Sequence, residues 1–425
     1  MLHKLGLAAA VALTLAPLPA LAATPGDLLK THLYAGSFKA GHEALKGLCT
    51  DENREACLAS GTLGLAIAVE QLAQELYRYG AVMPNMLPLS YFGMNVGGSA
   101  HPANPKPEPI TYEIFRSVLE TFVTQLDAAR AELEQGGAAG DYVVMLDPMQ
   151  IKIDLDGDGK IGPEESVSAL WPALSGMGDM LVTPPGKTKP NAPAAPDTSI
   201  GLDRADALWL AGYAQFSAAQ TELILAHDFS AFFDAYMHRV FPKSNLPLSR
   251  FSADDDAEFS GESDGDIADL IAGVHTLNFP VLDTQRLANV RTRLMAVTAL
   301  SRQNWEAILA ETDDNRELVP SPTQTSVLPG MHVTAETVAA WRGALDTVDA
   351  VLDGKLLLPH WRFPGQGFDL KAYFETAKRT DVVMLLTGLD ALPFLKKGPV
   401  VDTDSFADLT AVLGDDWPLY ALWFN

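Results

Sequence analysis

Apolar positions recur along this chain with helical spacing over most of its length. Residues 56–80 (ACLASGTLGLAIAVEQLAQELYRYG) keep small and aliphatic side chains at three- and four-residue intervals. They close on Gly80, a residue that accepts the left-handed conformation of a helix end. In residues 111–137, Ile114, Val118, Phe122 and Leu126 stand four apart, and glycine again follows. Three more periodic stretches span 204–240, 282–313 and 334–354. The first reads as one long helix or as two broken near Asp228-Phe229-Ser230. The clearest strand-like run, residues 141–146 (DYVVML), is short and has no companions at sheet spacing. The pattern predicts a mostly α fold, bundle-like, in one or two domains.

Three stretches interrupt the periodicity. Residues 97–109 and 183–199 are rich in proline and read as loop or linker. Residues 250–266 form an acidic loop ahead of a helix expected near Ile267. The second proline-rich stretch divides an N-terminal helical region, 23–182, from a C-terminal one, 200–425. No repeat of 20–50 residues is apparent. Residues 1–22 have a basic start at His3 and Lys4, an apolar run from Leu5 and a small-x-small end at Ala20-Leu21-Ala22. They read as a secretory signal, which places the protein in the periplasm or outside the cell. No later segment approaches about 18 uncharged apolar residues, so no membrane-spanning segment is expected in the mature chain.

Composition narrows the reading. With 425 residues, 48% of them hydrophobic, the chain can bury one large core or two ordinary ones. Its formal charge is −24, and removal of residues 1–22 takes away one lysine and no acid. Such a field repels nucleic acid and anionic membrane surfaces and attracts cations. The two cysteines, Cys49 and Cys57, suit a disulfide in an exported chain. On one continuous helix they would rise about 12 Å apart, too far to bond, so a turn must lie between them. Thr50-Asp51 offers an N-cap for the helix after it.

One stretch carries specific chemistry. In IDLDGDGKIGPEE, residues 153–165, Asp154, Asp156 and Asp158 take positions 1, 3 and 5 of a twelve-residue loop. Gly159 stands at 6, Lys160 at 7, Ile161 at 8 and Glu165 at 12. The spacing resembles the calcium loop of EF-hand proteins at every defining position. The resemblance implies calcium as cofactor, with Asp154, Asp156 and Asp158 each giving a carboxylate oxygen. It also implies the Lys160 backbone carbonyl and both Glu165 oxygens as ligands. Calcium takes about six to eight hard oxygens and tolerates a flexible cage. The resemblance covers only the loop and an exit helix begun by Pro163. The segment before it, LDPMQIKI, contains Pro148 and reads as extended where an EF-hand has a helix. A lone loop of this kind suits a structural staple better than a paired sensor.

Other constellations are thinner. His227, Asp234 and His238 would share a face of a continuous helix and could form half of a metal or acid–base site. They support the alternative of a hydrolase-like enzyme with calcium only structural. Equally, Asp234 and His238 could be a surface pair near a helix end. His360, Trp361 and Arg362 could line a ligand pocket or form a stacked packing feature. The acids of residues 311–315 (ETDDN) fall at a helix C-terminus, where they oppose the macrodipole, and the pattern offers no reason for them. No nucleophile elbow, HExxH motif or dinucleotide fingerprint is present. The sequence therefore points to an exported, non-catalytic calcium-binding protein, with a protein or small-molecule partner left open.

Overall fold

The computed structural model describes residues 23–82, 103–174, 197–249, 264–327 and 332–414. The expected signal segment lies outside this set, as do residues 97–102 of the first interrupting stretch and the greater parts of the other two. Among the described residues helices dominate. The chain opens with α1 (Pro25–Ala35), α2 (Phe38–Leu45), α3 (Arg54–Arg78) and α4 (Tyr112–Gly137). It continues with α5 (Val167–Leu174), α6 (Arg204–Leu225), α7 (Ser230–Tyr236), α8 (Asp264–His275), α9 (Thr284–Ala310) and α10 (Ala335–Leu352). Short helices α11 (Leu370–Thr376), α12 (Val382–Thr387) and α13 (Ala407–Leu413) complete the set. The mostly α expectation holds.

Helix α3 packs on α4, α4 on α6, and α6 on α9, so the four long helices form one continuous set of contacts. Side chains fix where they begin. Thr111 accepts from the Ile114 amide, Asp203 and Asp206 form a capping box at α6, and Thr334 and Thr337 form one at α10. The buried stripe of α4 is Leu119, Val123, Leu126, Ala129 and Leu133 rather than the four-apart series. A constant step of four drifts about 40° per step around a helix, whereas alternating threes and fours stay in line. Ile114, Val118 and Phe122 consequently sit on a neighbouring face, half-buried against a second core. Helix α3 is long and apolar enough to cross a membrane by length and composition, although Glu70 ends its uncharged run well short of 18 residues. Half of that apolar window is buried inside the protein, against α1, α2 and α4.

Among the described residues, three clusters make up the core. The first joins Leu29 and Leu33 of α1, Leu58 and Leu63 of α3, and Leu208 of α6 to Trp305, Trp341 and Leu345. It therefore draws on both sides of the 183–199 stretch. The second is aromatic, with Phe229, Phe233 and Phe241 edge-on to Tyr112 and Phe115. The third gathers Leu287, Val290, Tyr373, Phe374 and Phe394.

The strand-like run contributes β1 (Val144–Leu146), paired antiparallel with β2 (Ile200–Leu202). This pairing bridges the two regions. A side chain at Gly201 would collide with the Asn315 carbonyl, so glycine lets the 311–327 segment lie against β2. Further short strands β3 (Asn278–Pro280), β4 (Leu358–Pro359), β5 (Gly367–Phe368), β6 (Arg379–Asp381) and β7 (Leu395–Lys396) pair as β3–β6 and β4–β5–β7. At two or three residues each, they leave no periodicity to read. Cys49 and Cys57 are bonded, with Cα atoms 4.4 Å apart across a tight turn. The cap that turn presents to α3 is Asn53, not Thr50-Asp51.

Candidate metal centre

The 154–165 loop folds around its own carboxylates. Asp154 accepts the amide of Gly157 on Oδ1 (2.8 Å) and that of Gly159 on Oδ2 (3.1 Å). Asp156 accepts the Asp158 amide at 3.0 Å, and Asp158 accepts the Lys160 amide at 2.7 Å. Each aspartate thus turns the chain toward itself, as short acidic side chains do in turns. Gly157 and Gly159 adopt φ of +75° and +74°, left-handed values that a side chain would strain. The outcome brings one oxygen each of Asp154, Asp156 and Asp158 within 4.8 Å of one another. Two like charges about 4 Å apart in water repel by about 1 kcal/mol, so three such groups favour a shared cation.

Glu165 holds the ends of the loop. It is 3% exposed, and its two oxygens accept the amides of Leu155 (2.7 Å) and Gly162 (2.6 Å). Its backbone also pairs with Ile153, and Lys152 bridges Ser166, so the strands entering and leaving the loop lie side by side. The structure therefore brings the three aspartates together and places Glu165 on two loop amides beside them. Lys160 leaves its side chain 85% exposed, with the ammonium 3.4 Å from Asp158 Oδ2 instead of turned fully away. The Lys160 amide and ammonium hold the Asp158 carboxyl below its ordinary range.

The segment before the loop is one 3-10 turn at Pro148–Gln150, capped by Asp147, followed by extended backbone. It is not an α-helix, as Pro148 implied. Helix α3 lies where support is needed. Gln74 donates to the Asp154 carbonyl at 2.8 Å, and Glu70 accepts the Asp154 amide at 3.3 Å. Neither residue was singled out from the sequence. Glu70 interrupts an apolar helix at a position 5% exposed, and burial raises its carboxyl to about 7, with Asp154 and Glu165 adding to the effect. An acid within an otherwise apolar helical run was the available signal. On another side, Ile161 packs against Gly36 after α1, and Lys152 donates its amide to the Leu33 carbonyl.

The structure does not assemble His227, Asp234 and His238. The chain breaks after Leu225 and restarts at Ser230, so the continuous helix that would align them is absent. His227 lies in the break, its Nδ1 2.7 Å from the Leu223 carbonyl and its Nε2 2.7 Å from Thr380 Oγ1. His238 sits in a 3-10 turn, buried, with Nε2 2.9 Å from Asp269 of α8 rather than on Asp234. Asp234 is exposed. The His360–Trp361–Arg362 group is a surface ledge. Trp361 is 73% exposed, carries the Arg362 guanidinium 4.3 Å over its ring and donates to the Leu386 carbonyl.

Comparison with known proteins places no neighbour beside this arrangement: no family model, no curated protein and no solved structure matches the chain.

Proposed function

We propose that this is an exported, non-catalytic protein whose 154–165 loop is an EF-hand-type site binding one calcium ion as a structural staple. The observation that carries the reading is the convergence of three aspartate oxygens within 4.8 Å around a pair of left-handed glycines. The donor set is entirely hard oxygen, which suits calcium and disfavours softer metals. Asp154, Asp156, Asp158 and the Lys160 carbonyl would hold the ion, with Glu165 closing the site. A carboxylate offers about four lone-pair positions, so the two amides on Glu165 leave it capacity for a cation. The disulfide supports an oxidising, extracytoplasmic location.

The structural role rests on what the loop touches. It joins α1, through Lys152 and Ile161, to the second half of α3, through Glu70 and Gln74. An ion bound only by the folded state stabilises it by about 2.7 kcal/mol at a hundredfold excess over Kd. The test is calorimetric titration of chelated protein with calcium chloride, native against Asp154→Ala and Glu165→Ala. Each variant should lose one binding event and its share of the calcium-dependent rise in melting temperature. Identical calcium heats in native and variant protein would sink the proposal.

A further inference from the structure

A second set of acids is drawn together by tertiary packing alone. Asp203 caps the start of α6, Glu311 ends α9, and Glu317 lies in the segment that crosses β2. One oxygen from each lies within 4.8 Å of the others. Asp203 and Glu317 are 9% and 5% exposed. Arg316, next to Glu317, turns away to the carbonyls of Asp197 and Ser199, so it does not neutralise the group. Asp206, one turn into α6, lines the same small cavity and accepts the Asp203 amide.

An independent feature aims at the same point. Asn304 of α9 lines this cavity, is 1% exposed, and neither its side-chain oxygen nor its nitrogen has a hydrogen-bond partner. Glu311 Oε1 is likewise buried without a partner. Buried amides are nearly always paired, and one left open on both atoms marks a place where something else belongs. The cavity volume is about 10 Å³, close to that of a single water-sized occupant. Oxygens held about 2.4 Å from one calcium ion can stand no more than about 4.8 Å apart, and the acids meet that limit.

We propose that Asp203, Glu311, Glu317 and Asn304 form a second, buried site for a calcium-sized divalent cation, which ties the start of α6 to the end of α9 and the 311–327 segment. Three carboxylates and one amide oxygen offer up to seven donors, within the range calcium takes. Magnesium keeps several waters of its own, and the cavity has no room for them. The site accounts for an oddity of the sequence. Glu311 stands at a helix C-terminus, against the macrodipole, because its carboxyl serves the cluster rather than the helix.

Equilibrium dialysis of the full chain against calcium, with bound metal counted by atomic emission, tests the site. Native protein should bind two ions, Glu311→Gln/Glu317→Gln one, and Asp154→Asn/Asp156→Asn one, with tenfold excess magnesium competing for neither in the buried site. Asn304→Leu, similar in volume and uncharged, serves as a second variant and should also bind one ion while keeping a cooperative melt. If the cluster variants bind as many ions as native protein, the acids are satisfied by protons and the proposal fails. It fails equally if the loop variant binds none. A single ion that survives the loop variant and vanishes in the cluster variants keeps this site and removes the loop reading.

Discussion

The 154–165 loop and the Asp203–Glu311–Glu317 cluster each bring three carboxylate oxygens within 4.8 Å, yet they are built in opposite ways. In the loop the acids fall within five consecutive residues, half or fully exposed, and each accepts a backbone amide two or three residues on. In the cluster the acids come from three segments, two of them are buried, and oxygen and amide atoms are left open. Water and local amides hold the charges of the first site at small cost. The second has local amides on Asp203 and Glu317 but is largely shut off from water, so the charge gathered there must be met by a cation or a proton. The comparison teaches that exposure, rather than the number of acids, decides how much a site depends on its counterion.

The largest effect expected concerns the remaining local closure. Cys49→Ser/Cys57→Ser should lower stability by about 2–3 kcal/mol, read by denaturant melts, because a small covalent loop is opened. Calcium stoichiometry should not change, since neither site contacts the bond. Next comes charge removal in chelator at pH 8. Glu311→Gln/Glu317→Gln should raise the stability of metal-free protein by about 1–3 kcal/mol, because burial holds both carboxyls above their ordinary range and at that pH the unfolded chain gains by ionising them. A decrease would mean that the fold satisfies these carboxyls, and the contrast with the loop would collapse.

A buried group without a carboxylate sharpens the contrast further. His227 is 5% exposed, and desolvation lowers its pKa below the ordinary 6.5 despite the Leu223 carbonyl. The unfolded chain therefore binds the proton more readily. The stability His227 contributes is complete above about pH 6.5 and is lost as pH falls through its folded value. Relative to native protein, His227→Gln should lose on the order of 1 kcal/mol at pH 7.5 and lack this acid-side decline in chemical melts. The smallest effect belongs to the exposed loop. Asp156→Asn in chelator should shift stability by less than about 0.5 kcal/mol, since water already screens that charge. A shift as large as that of the cluster variant would erase the distinction between the two sites.

Much of this architecture was legible in the chain. Periodicity located α3, α4, α6, α9 and α10 because a buried stripe must repeat every three or four residues wherever a helix lies on a core. The turn between Cys49 and Cys57 was legible too, from local geometry, whereas a break near Asp228-Phe229-Ser230 was one of two readings the pattern left open. The aspartates of the loop converge because their carboxylates accept amides within the loop itself, where spacing alone sets distance. Glu70 and Gln74 were passed over, as their partner, Asp154, lies some eighty residues away in sequence.

Tertiary structure decided the rest. Alignment of His227, Asp234 and His238 depended on a helix that the packing of Phe229 and Phe233 against Tyr112 and Phe115 replaces with a break. Pairing of β1 with β2, and the meeting of Asp203, Glu311 and Glu317, depend on where α6 and α9 come to rest against each other. Hydrophobic and turn patterns act over a few residues and survive any arrangement of the helices. A buried cluster exists only once its segments have met, because neither its distances nor its loss of water is a property of any one of them.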